Sequence, residues 1–481
     1  MRARIVASFL DEEHRKWWTL VAVSFGLFMI MLDNTVVNVA LPSIQRDLKV
    51  SVSSLEWVVN AYFLTFAVLL LTGGKLADMI GRRWIFTLGL VIFTASSLAC
   101  GLAASGEMLI AARAVQGVGA AMMNPATLSI ITATFPPRQR GMAMGIWVGV
   151  SAVALALGPI TGGLLSEHAH WSWIFFINVP IGVLAIVVAR LVIQESKDTS
   201  PDQRLDLPGL ATSGIGLFAL TYALIEANTK GWTSAEIIAL FVVAVLGFAA
   251  FIMLERRQRS PMLDLTLFRN RTFAGANATM ALVALSMFGV FFYVSLFVQN
   301  VLRFSPVQAG AAFLPMTLCI IFIAPVAGKL SDVVGARWLM SGGMLLVSIS
   351  LLLFSFLDEN SSFWNLLPAL LVGGTGMATA MTPTTAAAMS SVPVDKAGVG
   401  SGVLNSMRQV GGALGVAIMG AILGSYVSVG PRSPEFVGQF VSGFQASLHV
   451  AAGIAFAAAI VAFVLVRSHA ERRTAFAAEG A

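Results

Sequence analysis

Apolar runs of about 20 residues recur along the whole 481-residue chain and constrain its fold more than any other feature. A helix needs ~20 apolar residues to cross the ~30 Å hydrocarbon core of a bilayer. Hydrophobic residues make up 57% of the chain and charged residues 11%, and no water-soluble domain fits between the runs. The sequence therefore predicts an all-α integral membrane protein. The first run is too long for a signal peptide, so we expect it to be retained as a span.

Hydropathy and helix-breaking residues together predict fourteen transmembrane helices. Their approximate positions are 17–41, 55–73, 84–104, 107–131, 141–165, 171–192, 207–227, 233–254, 272–299, 307–327, 337–357, 362–384, 400–424 and 444–466. An even number of spans puts both termini on one side. Most of the 30 lysines and arginines then fall on that side, and lysine and arginine accumulate on the cytoplasmic side of a membrane. We expect both termini to be cytoplasmic, and we attribute the net charge of +6 to this topology rather than to nucleic-acid binding.

Other classes of membrane protein lack support in the sequence. Cys100 and Cys319 lie in apolar spans and form neither a CxxC pair nor a metal-spaced group. There is no GxxxxGK[ST] loop for ATP, and no cluster of a nucleophile with a base. We therefore expect neither an ATP-driven pump nor an enzyme, and no metal or other bound cofactor.

A repeated loop motif reveals an internal duplication. "GGKLADMIGRR" at 73–83 returns as "AGKLSDVVGAR" at 327–337. The offset is 254 residues, so that Gly74 matches Gly328. A second echo, at an offset of 257, pairs Gly141, Gly145, Leu157 and Gly158 with Gly398, Gly402, Leu414 and Gly415. Eight spans separate the copies, so a six-helix repeat leaves two spans over. We predict an N-terminal bundle at 1–192, linkers with two inserted helices at 193–271, and a C-terminal bundle with a cytoplasmic tail at 272–481.

In four motifs, the chain resembles members of the major facilitator superfamily and, more narrowly, its fourteen-helix drug/proton antiporters. The motifs are "LDNTVVNVALP" in span 1, "GGKLADMIGRR" after span 2, "RAVQGVGAAM" in span 4 and "GVSAVALALGPITGG" in span 5. The resemblance implies a major facilitator fold of two six-helix bundles plus the two inserted helices. It also implies a bacterial cytoplasmic membrane protein, functional as a monomer. Its expected activity is export of hydrophobic, cationic or zwitterionic small molecules by alternating access, powered by the proton motive force. A proton symporter or uniporter of a metabolite, and a transporter-like sensor, are the alternatives.

Asp33 is an acid within an apolar helix and the first candidate for proton coupling. It lies about eight residues, or ~12 Å, below the outer end of span 1. A charged carboxylate at the bilayer centre costs ~2.5–3.5 kcal/mol on insertion scales. Burial favours the neutral form of such an acid, whereas a nearby cation favours the charged form, so cargo and proton can exclude each other. The alternative is a structural carboxylate in a permanent pair.

Arg113 in span 4 is the second candidate for proton coupling. It lies about six residues, or ~9 Å, below the same outer surface, so its depth matches that of Asp33. A permanent pair would hold Asp33 in its charged form, and we therefore expect Arg113 to be close to Asp33 but not in contact. The family resemblance implicates the matching arginine in coupling. The alternative is a structural arginine whose head group reaches the interface.

The loop after span 2 is a candidate conformational switch. It combines a helix-ending glycine, an acid able to bind a helix N-terminus or an arginine, and cations at the membrane surface. The resemblance assigns the switch role to Gly74, Asp78, Gly81, Arg82 and Arg83. For the two arginines, positive-inside anchoring is the alternative.

Span 5 contains the dipeptide Gly158-Pro159, which we predict to belong to a tight, bendable seam between the bundles. Ordinary helix packing explains its glycines equally well. Polar amides in spans face protein or water rather than lipid, so they are the favoured pocket residues. The predicted substrate-binding residues are Asn34, Asn38, Asn60, Met123, Asn124, Phe292 and Tyr293.

Overall fold

The computed structural model describes residues 12–197, 205–258, 261, 263–392, 397–429 and 433–467, and over these residues the chain is helical with no strand. Fourteen helices follow one another. They are α1 (Glu12–Leu48), α2 (Val52–Ile80), α3 (Arg82–Gly101), α4 (Gly106–Thr134), α5 (Pro137–His168), α6 (Trp173–Phe176 and Asn178–Val192), α7 (Leu207–Lys230), α8 (Ala235–Arg257), α9 (Arg271–Asn300), α10 (Pro306–Ala312 and Leu314–Val334), α11 (Ala336–Phe354), α12 (Phe363–Ser390), α13 (Ala397–Tyr426) and α14 (Phe436–Leu465). A 3-10 turn at Leu265–Arg269 precedes α9.

Each predicted span coincides with one of these helices, so the all-α prediction is confirmed. Twelve of the helices in the described residues are long and apolar enough to cross a membrane. The other two are α4 and α5, of 29 and 32 residues. Helix α4 carries Arg113, Gln116 and Asn124 in its buried part, and these polar side chains lower its overall hydropathy.

The chain forms two compact units. The first contains the described residues up to Ala211 together with Gln258 and Pro261, and the second contains Thr212–Arg257 and the described residues from Leu263 onward. The first unit therefore holds α1–α6. The second unit holds α8–α14 and all but the start of α7, so the two inserted helices belong to the same compact unit as the C-terminal bundle.

The packing inside each unit repeats after eight helices, as the duplicated motifs predict. In the first unit α1 packs on α5 and α6, α4 packs on α2 and α3, and α3 packs on α6. In the second unit α9 packs on α13 and α14, α12 packs on α10 and α11, and α11 packs on α14. The internal repeat is therefore visible in the three-dimensional contacts as well as in the sequence.

The inserted pair α7–α8 is attached to α13 of the second unit. Asn228 Nδ2 donates to the Ala421 carbonyl oxygen at 2.6 Å, and Trp232 Nε1 donates to Asn228 Oδ1 at 2.9 Å. Gly424 leaves the space that the Asn228 amide occupies, because a Cβ there would come within 2.6 Å of Asn228 Nδ2. One asparagine thus joins α7, the α7–α8 turn and α13.

Candidate functional site

A buried ion pair joins α1 to α4. Arg113 Nη1 donates to Asp33 Oδ2 at 2.5 Å, and Gln116 Nε2 donates to Asp33 Oδ1 at 2.9 Å. Asp33 and Gln116 are fully buried, and the Arg113 side chain is 2% exposed. Both carboxylate oxygens of Asp33 therefore have a donor, and the pair is buried.

Arg113 also has partners other than Asp33, among them two hydrogen-bond acceptors and an aromatic ring. Its Nε donates to the Val58 carbonyl oxygen at 3.1 Å, and its Nη1 donates to Gln116 Oε1 at 2.8 Å. The guanidinium carbon lies 4.3 Å from the centre of the Tyr62 ring, within the range of a cation–π contact. Arg113 is thus held by α2 and α4 even without its bond to Asp33.

The prediction that Arg113 stays out of contact with Asp33 was wrong. The two residues lie at matching depths on α1 and α4, and opening the pair would leave the Asp33 carboxylate without its cationic partner in a dry interior. In this conformation Asp33 is therefore fully engaged. Any exchange of protons at Asp33 requires the contact with Arg113 to loosen.

Gln116 is a site residue that the sequence analysis missed. It connects the ion pair to α3 and α6, because its Nε2 lies 3.5 Å from Ser97 Oγ, which accepts from Asn178 Nδ2 at 3.1 Å. Ser97 itself donates to the Phe175 carbonyl oxygen at 2.9 Å. The signal was present in "RAVQG", since residues three apart lie on the same side of a helix. A polar residue three positions after a buried arginine therefore indicates that the two side chains belong to the same site.

The loop between α2 and α3 has the helix-ending glycine that the sequence predicted. Gly81 ends α2 and precedes α3 with a φ of +142°, a conformation that only glycine adopts readily. Asp78 pairs with Arg82 at 3.0 Å, one helical turn away. Gly74 faces Pro125 of α4, where an added Cβ would lie 3.3 Å from the proline ring.

The N-terminus of α3 is capped by Glu195, which follows α6. Its carboxylate accepts from the backbone N–H of Arg83 at 3.1 Å and of Trp84 at 3.3 Å, and it lies 3.7 Å from Arg83 Nε. The Arg82 N–H donates to the Ser196 carbonyl oxygen at 2.9 Å. The acid that binds a helix N-terminus is therefore Glu195, whereas Asp78 binds an arginine. Capping by a residue 112 positions away in the chain leaves no local sequence signal.

Gly158 and Gly162 pack against α1 of the same unit, and the predicted seam between the bundles stays a prediction. A Cβ at Gly158 would come within 1.8 Å of Thr35 Oγ1, and one at Gly162 within 2.7 Å of the Val36 carbonyl oxygen. Both partners belong to α1. Pro159 lies inside α5, which continues as one helix to His168. These glycines therefore set the close approach of α5 to α1.

The predicted substrate-binding residues are all buried, and they divide between the two units. Asn60 in α2 is fully buried, and neither atom of its amide has a hydrogen-bond partner among the described residues. Asn34 Oδ1 also lacks one there, while the Asn34 carbonyl accepts from Asn38 Nδ2 at 3.2 Å. The Asn124 carbonyl accepts from Thr127. Asn60, through both amide atoms, and Asn34, through its Oδ1, are therefore the members of this set best suited to meet a polar ligand.

Three other members of the set have packing contacts. The Met123 side chain packs where Cβ atoms at Gly26 and Gly89 would otherwise lie, so it fills the core between α1, α3 and α4. In the second unit, Tyr293 donates to the Val416 carbonyl oxygen at 3.3 Å, and the Phe292 and Tyr293 rings meet edge to face at 4.7 Å. Their role in binding substrate stays a prediction.

Comparison with known proteins identifies the family. The Major Facilitator Superfamily model matches residues 23–416. The chain belongs to the major facilitator superfamily. It is accordingly a multi-pass membrane transporter and not an enzyme. Within the described residues, no group of three histidine, cysteine, aspartate or glutamate side chains could hold a metal ion.

Relatives within the superfamily carry names of resistance proteins. The chain is 38% identical over 411 residues to the multidrug resistance protein Stp of Mycobacterium tuberculosis, covering 85% of this chain and 76% of that protein. It is 37% identical over 413 residues to the tetracenomycin C resistance and export protein of Streptomyces glaucescens, covering 86% and 77%. A solved structure of a bacterial homologue of the human lysosomal transporter Spinster shares the fold, with a TM-score of 0.66 and 18% identity, over 94% of this chain and 97% of that one.

Proposed function

We propose that this chain is a drug/proton antiporter with fourteen transmembrane helices in a bacterial cytoplasmic membrane. It exports hydrophobic, cationic or zwitterionic small molecules by alternating access and needs no cofactor besides the proton motive force. Both termini are cytoplasmic, and the monomer is the working unit. Relatives named for antibiotic and multidrug resistance support the cargo class.

The observation that carries the proposal is the buried Asp33–Arg113 pair. When the contact loosens, Arg113 keeps the Val58 carbonyl, Gln116 Oε1 and the Tyr62 ring. Its charge therefore stays solvated by the protein while the Asp33 carboxylate becomes available.

Once Asp33 is available, it has one negative charge to offer. A proton or the cationic group of a cargo molecule can neutralise it, and either one lowers the attraction for the other. Cargo and proton therefore take turns, which is the requirement for antiport. Each inward proton contributes ~2.3 kcal/mol per 100 mV of membrane potential and ~1.4 kcal/mol per pH unit. This free energy is enough to drive the accumulation of cargo outside the membrane.

The loop between α2 and α3 serves as the switch in this scheme. Arg82, Arg83 and Asp78 exchange partners as the transporter alternates between its two states, with Gly81 as the point where the backbone changes direction. Pro159 lacks a backbone N–H and so removes one backbone hydrogen bond from α5. The helix can therefore bend there, beside the tight contact at Gly158.

Efflux from proteoliposomes tests the proposal. The wild type and Asp33→Asn are reconstituted, and the transport of a fluorescent lipophilic cation is followed with and without an imposed pH gradient. We expect the gradient to accelerate cation transport by the wild type, in the direction opposite to proton flow, and to have no effect on Asp33→Asn. Glu435→Gln, which removes an acid from the N-cap position of α14, is the matched control and should behave like the wild type. Thermal unfolding of each variant separates loss of coupling from loss of folding.

The direction of flow separates the alternatives. A symporter would move the cation with the protons, and a uniporter would ignore the gradient. Equal gradient-driven transport by wild type and Asp33→Asn would show that Asp33 is not the coupling acid.

A further inference from the structure

The side-chain amide of Gln116 uses both of its ends in the buried cluster. Its Oε1 accepts from Arg113 Nη1 at 2.8 Å and from Cys100 Sγ at 3.7 Å. Its Nε2 donates to Asp33 Oδ1 at 2.9 Å and lies 3.5 Å from Ser97 Oγ. An amide nitrogen carries two protons, so Nε2 has a near, charged acceptor for one proton and a more distant, neutral acceptor for the other.

Ser97 of α3 faces this amide as an acceptor. A serine hydroxyl has one proton and two lone pairs. Ser97 Oγ gives its proton to the Phe175 carbonyl oxygen at 2.9 Å and accepts from Asn178 Nδ2 at 3.1 Å. One lone pair is therefore left for Gln116 Nε2. Ser97, Asn178 and Gln116 are all fully buried, so the protein itself determines which partner each of these groups has.

The two acceptors of Gln116 Nε2 contribute to different states of the cluster. The bond to the charged Asp33 carboxylate is short, whereas 3.5 Å to Ser97 is longer than an ordinary N–H···O hydrogen bond. Ser97 therefore adds little while Asp33 is charged and paired. Once the carboxylate takes up a proton or turns to a cargo molecule, it attracts the N–H less. A buried amide proton without an acceptor is costly, so Nε2 then needs another partner.

We propose that Ser97 is a positioning residue for proton coupling, which takes over the Gln116 amide when Asp33 is protonated. This role presupposes the proposed antiport function. A movement of ~0.6 Å brings Nε2 from its present 3.5 Å to an ordinary hydrogen-bond distance from Ser97 Oγ. Ser97 thus stabilises the protonated state of the cluster more than the charged state, and it acts on Asp33 only through Gln116.

The titratable groups around Gln116 come from four helices. They are Asp33 on α1, Tyr62 on α2, Cys100 on α3 and Arg113 on α4, and Tyr62 reaches the cluster through its ring against the guanidinium of Arg113. Helix α6 presents neutral groups there, the Phe175 carbonyl and the Asn178 amide. Thiols, phenols and guanidinium groups ordinarily titrate above pH 8, so a transition at lower pH is assigned to the carboxyl group.

Titration of Asp33 in Ser97 variants tests this role. Infrared difference spectra of the reconstituted protein without cargo give the pH midpoint of the protonated-carboxyl band that is absent from Asp33→Asn. We expect the midpoint to fall by about 0.5–1 pH unit in Ser97→Ala, a threefold to tenfold loss of proton affinity, because the protonated state loses a neutral hydrogen bond. The pH profile of gradient-driven efflux should move in the same direction. Ser97→Cys offers a weaker acceptor of similar size and should cause a smaller shift of the same sign, so it provides the test if Ser97→Ala does not fold.

Two comparisons separate positioning from helix packing. Ser96 is the neighbouring buried serine, and its hydroxyl donates to the Ile92 and Phe93 carbonyl oxygens of its own helix. Ser96→Ala is therefore the matched control and should keep the midpoint within about 0.2 pH unit of the wild type. In a Gln116→Leu background, adding Ser97→Ala should leave the midpoint where Gln116→Leu alone places it, because the amide through which Ser97 acts is already gone.

Three outcomes would overturn the role of Ser97. One is a midpoint that is unchanged or higher in a folded Ser97 variant. Another is an equal shift in Ser96→Ala. The third is a shift by Ser97→Ala that persists in the Gln116→Leu background, which would mean that Ser97 acts through packing alone. In each case the wild type still titrates at Asp33 and responds to the pH gradient. Failure of the antiport proposal is distinguishable, because the wild type itself then shows neither the carboxyl band nor gradient-driven efflux.

Discussion

The buried pair of Asp33 and Arg113 allows a double-mutant cycle with a large expected coupling energy. The three variants are Asp33→Asn, Arg113→Gln and the combination of both. Removing one partner of a buried ion pair leaves an uncompensated charge and typically costs ~3–5 kcal/mol. Replacing both partners by neutral groups of similar size removes that problem, and is often neutral for stability. The double variant should therefore be more stable than either single variant.

The two single variants should differ in a direction that follows from their contacts. In Asp33→Asn, Arg113 keeps bonds to the Val58 carbonyl and Gln116 Oε1 as well as the Tyr62 ring. In Arg113→Gln, the contact that persists from the described residues to the Asp33 carboxylate is the bond from Gln116 Nε2. We expect Asp33→Asn to cost ~3 kcal/mol and Arg113→Gln to cost closer to ~5 kcal/mol of the free energy of unfolding.

Thermal and denaturant unfolding in one detergent measures the cycle. Single costs of ~3 and ~5 kcal/mol and a double variant that costs less than ~3 kcal/mol give a predicted interaction energy above about 5 kcal/mol, larger than is usual for residues in contact. Additive single effects would refute the reasoning, because they would mean that the two charges do not depend on each other for their burial.

Three further substitutions test the supporting structure. Gly81→Ala should lower the unfolding free energy by ~1–3 kcal/mol, because side chains disfavour its φ of +142°. Gly74→Ala should cost less than about 1 kcal/mol, and equal Tm values for the two variants would contradict this prediction. Glu195→Gln should lose about 1 kcal/mol through a weaker cap on α3 and raise hydrogen exchange at the first amides of that helix; unchanged exchange would argue against the cap. Asn228→Ala should cost ~1 kcal/mol and speed proteolysis in the α7–α8 turn, and resistance equal to that of the wild type would show that the pair is held by other contacts.

The helices and the duplication could be predicted from sequence because they follow from one-dimensional signals. Apolar runs of membrane length define the spans, and a repeated loop motif defines the offset. The attachment of α7–α8 to the second unit could not be predicted in this way. It depends on Asn228 and on the space left by Gly424, which are far apart in the chain, and neither lies in a recognisable pattern.

The sequence could single out Asp33 and Arg113 as candidates but could not predict their contact. An acid and an arginine within apolar helices stand out in any membrane sequence, and their depths could be counted from the helix ends. Whether Asp33 and Arg113 touch depends on how α1 and α4 are rotated against each other, which hydropathy does not record. The contact of Gln116 with Ser97 beside the ion pair, and the separate cap that Glu195 places on the N-terminus of α3, join residues far apart in the chain and became visible only in three dimensions.

The central claim is that Asp33 gains and loses a proton during transport. Infrared difference spectroscopy of the reconstituted protein, comparing the wild type with Asp33→Asn, tests it most directly. The account predicts a protonated-carboxyl band that appears on acidification without cargo, disappears when a cationic cargo binds, and is absent from Asp33→Asn. A carboxylate signal from Asp33 that stays unchanged under both conditions would contradict the account.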